Sequence, residues 1–262
     1  ADGAVLPRAS GVDDRPLAGG VPFVSPPELR VTLDVPHRGT VTGMGVPEGV
    51  TLIVGGGYHG KSTLLRALES GVYDHVPGDG RELVVARADT VSVRAEDERS
   101  VQRVDVSAFV TGLPSGNPTD DFSTESASGS TSQAAATVEA LEAGAGVLLI
   151  DEDTAATNAM IRDDRMRALI QAEPLVPFVE RVRPLHRGHG VSTVLVMGGS
   201  GEYLARADTV VLLQDYTASE VTGRAREIAG RADEAGDSAF PAFARREFDP
   251  RSVDASVRPG ET

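Results

Sequence analysis

The chain has no cysteine among its 262 residues, which excludes disulfides, Cys-ligated zinc and a thiol nucleophile, and suits a reducing cytoplasm. It is nearly as poor in lysine. Of its 25 basic residues, 24 are arginine and Lys61 alone is lysine. High-GC coding or salt adaptation would favour arginine everywhere. Neither singles out one position, so the exception calls for a chemical reason. No apolar run approaches the ~20 residues that span a bilayer, and the N-terminus has no basic and apolar signal pattern. A soluble, cytoplasmic chain with no membrane partner is expected. Positive charge is also in deficit. The formal net charge of −14 gives a surface that repels phosphate backbones within a Debye length, which disfavours tight nucleic-acid binding by this chain alone. The chain opens ADGAVLPRASGVDD without Met and closes DPRSVDASVRPGET, as expected of a piece cut from a longer protein.

What is present is enough apolar material, 40% of residues, to bury one substantial core with or without a small appended lobe. Residues 1–28 carry Pro7, Pro16, Pro22, Pro26 and Pro27 among several glycines. That composition favours extended or looped backbone and reads as a lead-in from a missing upstream region. LRVTLDV, from Leu29 to Val35, alternates like a half-exposed strand, and the following PHRGTVTGMGVPEG is turn-rich. VTLIV reads as a strand buried on both faces, ending at Val54. KSTLLRALESG has helical spacing with a stop at Gly71. RELVVARA and TVSVRAED are further strand candidates, and Thr111 to Thr131 is rich in Gly, Ser, Pro and Asn. Ser132 to Gly144 is built of good helix formers. GVLLID, VSTVLVMGG and TVVLLQD supply three more buried strands. Strands alternating with helices predict an α/β fold with a mainly parallel sheet flanked by helices. The core is expected over 29–230. Residues 231–262 form a polar C-terminal extension in which Phe240, Phe243 and Phe248 indicate loose docking.

Gly55, Gly56, Gly57, Tyr58, His59, Gly60, Lys61 and Ser62 satisfy G-x-x-x-x-G-K-[ST] between a strand and a helix, and Thr63 follows in the same turn. Glycines let a loop wrap a polyphosphate with its N–H groups close to the oxygens. Lys61 places a compact ammonium between β- and γ-phosphates, where the broad arginine fork would not fit. That is the chemical reason for the single lysine. The expected ligand is ATP with Mg²⁺; guanine nucleotides are set aside because their N/T-K-x-D motif needs a second lysine. The strand Val147 to Ile150 ends in Asp151 and Glu152, at the strand end where open α/β sheets bind ligands. Asp151 is expected to hold Mg²⁺ with Ser62, and Glu152 to act on the attacking water as general base or orienting group. Ser126 to Gln133 puts small hydroxyl residues and a glycine at a helix N-terminus. This is either a second anion site or a flexible loop with a good cap. His59 is read as facing solvent or a second subunit, and Tyr58 as stacking on a base or packing. The other four histidines show no metal spacing.

Several segments together resemble the family of predicted ATPases of the ABC class, which includes an RNA-editing-associated ATPase of kinetoplastids. They are GMGVPEGVTLIVGGGYHGKSTLLRALESGVYDHVPGDGRE, RAEDERSV, STESASGSTSQAA, LLIDEDTAATNAMIRD and VMGGSGEYL. The resemblance covers about residues 1 to 230 and implies a P-loop NTPase core of ABC-ATPase type with a reduced helical signature lobe near 105–143. It also implies a homodimer with ATP and Mg²⁺ at the interface, working as a nucleotide-driven dimerisation switch without transmembrane partners. Longer members carry an N-terminal domain linked to RNA, so this chain reads as the core alone. By the same resemblance Ser128, Gly129 and Ser130 match the signature, and Asp153 to Asn158 the loop that communicates between subunits. One departure stands out: the place of the switch histidine is taken by Gly198-Gly199-Ser200-Gly201. Backbone N–H groups or the Ser200 hydroxyl can face a γ-phosphate there, so Ser200 joins Lys61 and Glu152 as a catalytic candidate, with slow hydrolysis or a different trigger expected. Around Arg94, Glu96, Asp97 and Arg99, where a glutamine-bearing loop is usual, a charged strand end turned to solvent is favoured over a catalytic role. The alternative function is a slow or non-hydrolysing ATP-sensing module that regulates an RNA-processing partner.

Overall fold

The computed structural model describes residues 1–113, 116, 118–163, 166, 169–170, 173–230 and 238–245. The chain begins with two hairpins, β1 (Arg8–Ser10) with β2 (Asp13–Pro16) and β3 (Arg30–Val35) with β4 (Gly39–Met44), and enters the core at β5 (Val50–Val54) and α1 (Lys61–Ser70). Next come β6 (Thr90–Val93), the antiparallel pair β7 (Arg99–Val104) and β8 (Phe122–Ala127), α2 (Gly129–Glu142) and β9 (Val147–Asp151). The last part holds α3 (Thr157–Met160), α4 (Phe178–His189), β10 (Ser192–Met197), β11 (Thr209–Gln214), β12 (Thr217–Glu220) and α5 (Thr222–Ala229).

The four apolar runs become neighbours. They form the middle of a six-stranded sheet in the order β12-β11-β5-β10-β9-β6, parallel except for the β11-β12 hairpin. Side chains alternate along a strand, so each run feeds two cores. Leu195 and Met197 join Leu52, Leu148 and Ile150 against α2 and α4 through Ala135, Leu141, Phe178 and Leu185. Val194 and Val196 join Ile53, Leu149 and Val211 against Leu64, Leu65 and Ala67 of α1. All six residues of β10 are buried, as a central strand with helices on both faces requires.

Several sequence expectations are corrected. Residues 1–28, read as an extended lead-in, pack on the core: Ala4, Leu6 and Phe23 are buried with Leu64 and Leu65. The Leu6 carbonyl accepts two hydrogen bonds from the buried Arg81 guanidinium, at 2.9 and 2.5 Å. The prolines shape this backbone, but the apolar residues between them decide where it lies. RELVVARA is not a strand. Arg81 turns inward, Val84 donates to the Arg81 carbonyl at 2.8 Å in a turn, and Val85 is left exposed. Conversely, the turn-rich stretch after β3 yields β4, and the Gly/Ser-rich tract yields β8. Each pairs with a neighbouring strand, so partner hydrogen bonds override weak local preference. α4 forms although Pro184 lies inside it. Phe240 docks more tightly than expected, edge-on to Phe109 at 5.8 Å and to His189 at 5.6 Å, while Phe248 lies outside the described residues. Among the described residues no helix is long and apolar enough to cross a membrane.

Candidate functional site

Strand register brings three loops together. Val54 of β5 pairs with Met197 of β10, and Asp151 of β9 pairs with Val196. The residues that leave these strands next, Gly55, Gly198 and Glu152, therefore emerge side by side at the C-terminal ends. Gly55 has φ 151°, and a Cβ there would sit 2.2 Å from the Leu213 carbonyl oxygen, so only glycine fits. Gly60, at φ 95°, turns the loop into α1. The first turn of that helix is Lys61, Ser62 and Thr63, so its free N–H groups and partial positive charge face the loop. Lys61 Nζ donates to the Gly56 carbonyl at 2.7 Å.

Glu152 lies across the same crevice. Its Oε2 accepts the Gly198 amide at 2.5 Å and the Gly199 amide at 2.9 Å. A Cβ on Gly198 would be 3.7 Å from both Glu152 Oε2 and Lys61 Nζ. The ammonium and the carboxylate thus converge on one glycine. Asp151, at the tip of β9, accepts the Asp153 amide at 3.2 Å and caps the turn Glu152–Thr154. Ser200 is in the loop with Gly198 and Gly199, but its hydroxyl accepts the Glu202 amide at 3.2 Å. Behind this loop Tyr203 is fully buried, and its hydroxyl donates to the Met160 carbonyl at 2.8 Å. Burial, and then the charges of Glu202 and Glu152, push the Tyr203 phenol well above its ordinary pKa, so it stays a neutral donor.

Beside the glycine loop opens an apolar cavity of about 400 Å³. Leu6, Leu17 and Phe23 of the N-terminal segment, Leu213 of β11 and Tyr216 of the β11-β12 turn face His59, Gly60 and Thr63 across it. His59 is half-buried and bonds to its own chain: Nδ1 accepts the Asp215 amide at 2.9 Å and lies 3.5 Å from the Asp215 carboxylate. Tyr58 is 98% exposed and neither packs nor lines the cavity. Tyr216 does, with Cδ1 3.4 Å from where a Cβ on Gly60 would be. Sequence reasoning missed both Tyr216 and the N-terminal wall. The available signal was Leu6, Leu17, Val21 and Phe23 set among the prolines and glycines.

A family model described as the ABC_ATPase P-loop domain matches residues 1–245. This chain belongs to that family. Among curated proteins it is 28% identical over 204 residues to uncharacterized protein MJ1628 of Methanocaldococcus jannaschii, with 76% of this chain and 44% of the relative aligned. The chain therefore spans less than half the length of that relative. Among solved structures it is similar to cbiO1 from Clostridium perfringens, part of the ABC transporter complex cbiONQ. That likeness has a TM-score of 0.48 and 16% identity, over 76% of this chain and 90% of the other.

In this ABC_ATPase domain the Ser-Gly stretch caps α2. Ser128 Oγ accepts the Thr131 amide at 3.5 Å and lies 3.3 and 3.1 Å from the Ser130 and Thr131 hydroxyls. Gly129 is tightly fitted, since a Cβ there would be 3.0 Å from Asp97 Oδ1. The Glu96 amide donates to Ser132 Oγ at 2.8 Å. Glu96 and Asp97 are themselves exposed, so this strand end buttresses α2 while its carboxylates meet solvent. Among the described residues no hydrogen bond joins Ser128, Gly129 or Ser130 to the loop over Gly55–Thr63. The stretch from Asp153 to Asn158 is tied to α2 by the Ala156 amide, which donates to Gln133 Oε1 at 2.7 Å. No group of three or more His, Cys, Asp or Glu that could hold a metal ion occurs among the described residues.

Proposed function

We propose that this ABC_ATPase domain binds ATP with Mg²⁺ and hydrolyses it between two copies of the chain, so that turnover closes and reopens a dimer. The observation that carries the reading is the convergence of Lys61 and Glu152 on Gly198 beside a glycine loop that feeds a helix N-terminus. Loop amides and the start of α1 cradle the phosphates, and Lys61 moves from the Gly56 carbonyl to the β- and γ-oxygens. The adenine enters the apolar cavity between the N-terminal segment and Tyr216. Ser62 and Asp151 would hold Mg²⁺. They are hard oxygen donors, and two protein ligands suit an ion that completes its shell with phosphate and water. When bound it neutralises charge on the β- and γ-phosphates. Glu152 orients the water and takes its proton as the oxygen bonds to the γ-phosphorus and ADP leaves.

Placement supports the dimer. Ser128, Gly129 and Ser130 stand on a helix start with no hydrogen bond to their own glycine loop, so they are offered to the γ-phosphate held by a second copy. RNA contact is not assigned to these residues, because their −14 charge opposes it. A second reading, ATP sensing with little turnover, is favoured by the loop 198–201, which supplies no imidazole, and by the Gly198 and Gly199 amides that hold Glu152. Two variants decide. Lys61→Ala should abolish binding of a fluorescent ATP analogue, and unchanged affinity would refute the site. Glu152→Gln should retain binding and lower turnover about 10²-fold or more; unchanged turnover would remove Glu152 from the chemistry.

A further inference from the structure

We propose that the paired amides of Gly198 and Gly199 form a clasp for one anionic oxygen, which the Glu152 carboxylate and the terminal phosphate of the nucleotide hold in turn. This rests on the nucleotide reading and goes beyond it by giving the loop that lacks a histidine a specific switching role. Both amides converge on the same atom, Glu152 Oε2, at 2.5 and 2.9 Å, the geometry of a charge-assisted anion site. Among the described residues no Lys, Arg or His side chain forms an ion pair with Glu152, so the carboxylate is held by backbone alone. Lys61 donates its hydrogen bond to the Gly56 carbonyl instead. The two glycines leave room for this contact: a Cβ on Gly199 would be 3.0 Å from Glu152 Oε1.

The clasp also lies where a third phosphate would have to pass. Gly198 follows β10 directly opposite Gly55, at the mouth of the glycine loop, and the point that its Cβ would occupy is 3.7 Å from Lys61 Nζ. A terminal phosphate oxygen can take both amides and Lys61 at once, whereas the carboxylate takes only the amides. Two like charges do not share the pair, so entry of that phosphate expels Glu152 and frees it to turn toward the attacking water. A nucleoside diphosphate does not reach the clasp and leaves Glu152 where it is. The base is thus released only when its substrate is complete.

The test uses the full chain with Mg²⁺ and either ADP or the non-hydrolysable β,γ-imido analogue of ATP. Glu152→Ala removes the competitor. Glu152→Asp keeps its charge but falls about 1.5 Å short of the amides, one carbon–carbon bond. Both substitutions should tighten the imido analogue about tenfold, the worth of a charge-assisted hydrogen bond, and leave ADP within about twofold. In ¹⁵N-labelled protein without nucleotide, the Gly198 and Gly199 amide protons should move upfield in both variants. If Glu152→Asp binds like wild type while Glu152→Ala gains, charge repulsion explains the effect and the clasp is overturned. Amide resonances that ignore Glu152→Ala overturn it as well. Should neither nucleotide bind the wild type, the nucleotide reading fails and takes the phosphate half of the proposal with it, and the amide shifts still report whether Glu152 holds the clasp.

Discussion

At the scale of single residues, the glycine loop tolerates almost nothing at its first position. Gly55 combines φ 151° with the Leu213 carbonyl oxygen 2.2 Å from where a Cβ would go. The obstacle is backbone in the neighbouring strand β11 and cannot rotate away. Gly55→Ala should therefore cost on the order of 3 kcal/mol through strain and overpacking together, read as a lower denaturant midpoint, and should weaken ATP-analogue binding as β11 is pushed aside. An alanine variant of wild-type stability would mean that the loop opens more freely than this contact allows. Residues of this kind were legible in the sequence because the phosphate-loop chemistry is local: glycine spacing, one lysine and one serine within the eight positions from Gly55 to Ser62. Glu152 was legible as a strand-end carboxylate. Its partners were not, since the amides that hold it come 46 and 47 positions later and carry no side chain to mark them. His59 and Tyr58 show the same limit. The loop position of each was evident, but the Asp215 amide that donates to His59, and Tyr216, which lines the cavity where Tyr58 does not, belong to a distant hairpin.

At the scale of elements, the first 28 residues teach the most. Their prolines and glycines describe backbone preference and say nothing of burial, so a segment that walls the proposed base cavity read only as an extended lead-in. What fixes it is a clamp from residues 75–81. Arg81 donates to the Leu6 carbonyl and, at 3.2 Å, to the Ser70 hydroxyl, while Arg8 pairs with Asp79 at 3.7 Å. Arg81→Met should cost about 2 kcal/mol, the loss of hydrogen bonds from a buried charged donor. Amide exchange should then rise over residues 4–23, with slower exchange elsewhere left intact. Unaltered exchange there would show that Leu6 and Phe23 hold the segment without help. Asp79 adds a pH term. Burial raises its pKa, but the His75 hydrogen bond at 2.6 Å, the Arg81 amide, and the charges of His75 and Arg8 outweigh burial and leave it lowered. A carboxyl whose folded pKa is depressed stabilises above its unfolded pKa, near ~3.9, and this contribution fades as pH falls through the folded value. Wild type should therefore exceed Asp79→Asn in stability at pH 7 and lose that advantage progressively below about pH 4. A pH-independent difference would assign the effect to geometry alone.

At the scale of the whole molecule, charge and assembly pull in opposite directions. Two chains of formal charge −14 must approach closely if the Ser128–Ser130 cap of one is to reach the phosphates of the other, and triphosphates add further negative charge at that interface. At low ionic strength the repulsion is long-ranged, since the Debye length is about 10 Å at 0.1 M salt and about 3 Å at 1 M. Exposed ion pairs between arginines and carboxylates return little of that energy. Salt should accordingly favour the closed pair: between about 0.05 and 0.5 M NaCl, with the imido analogue and Mg²⁺ saturating throughout, the dimer dissociation constant should fall about tenfold. Sedimentation equilibrium at the two salt concentrations measures this directly, with Lys61→Ala as a control that should remain monomeric at both. Dimers that tighten as salt is removed would instead point to complementary arginine and carboxylate faces at the interface, and net charge would cease to explain how two such acidic surfaces meet.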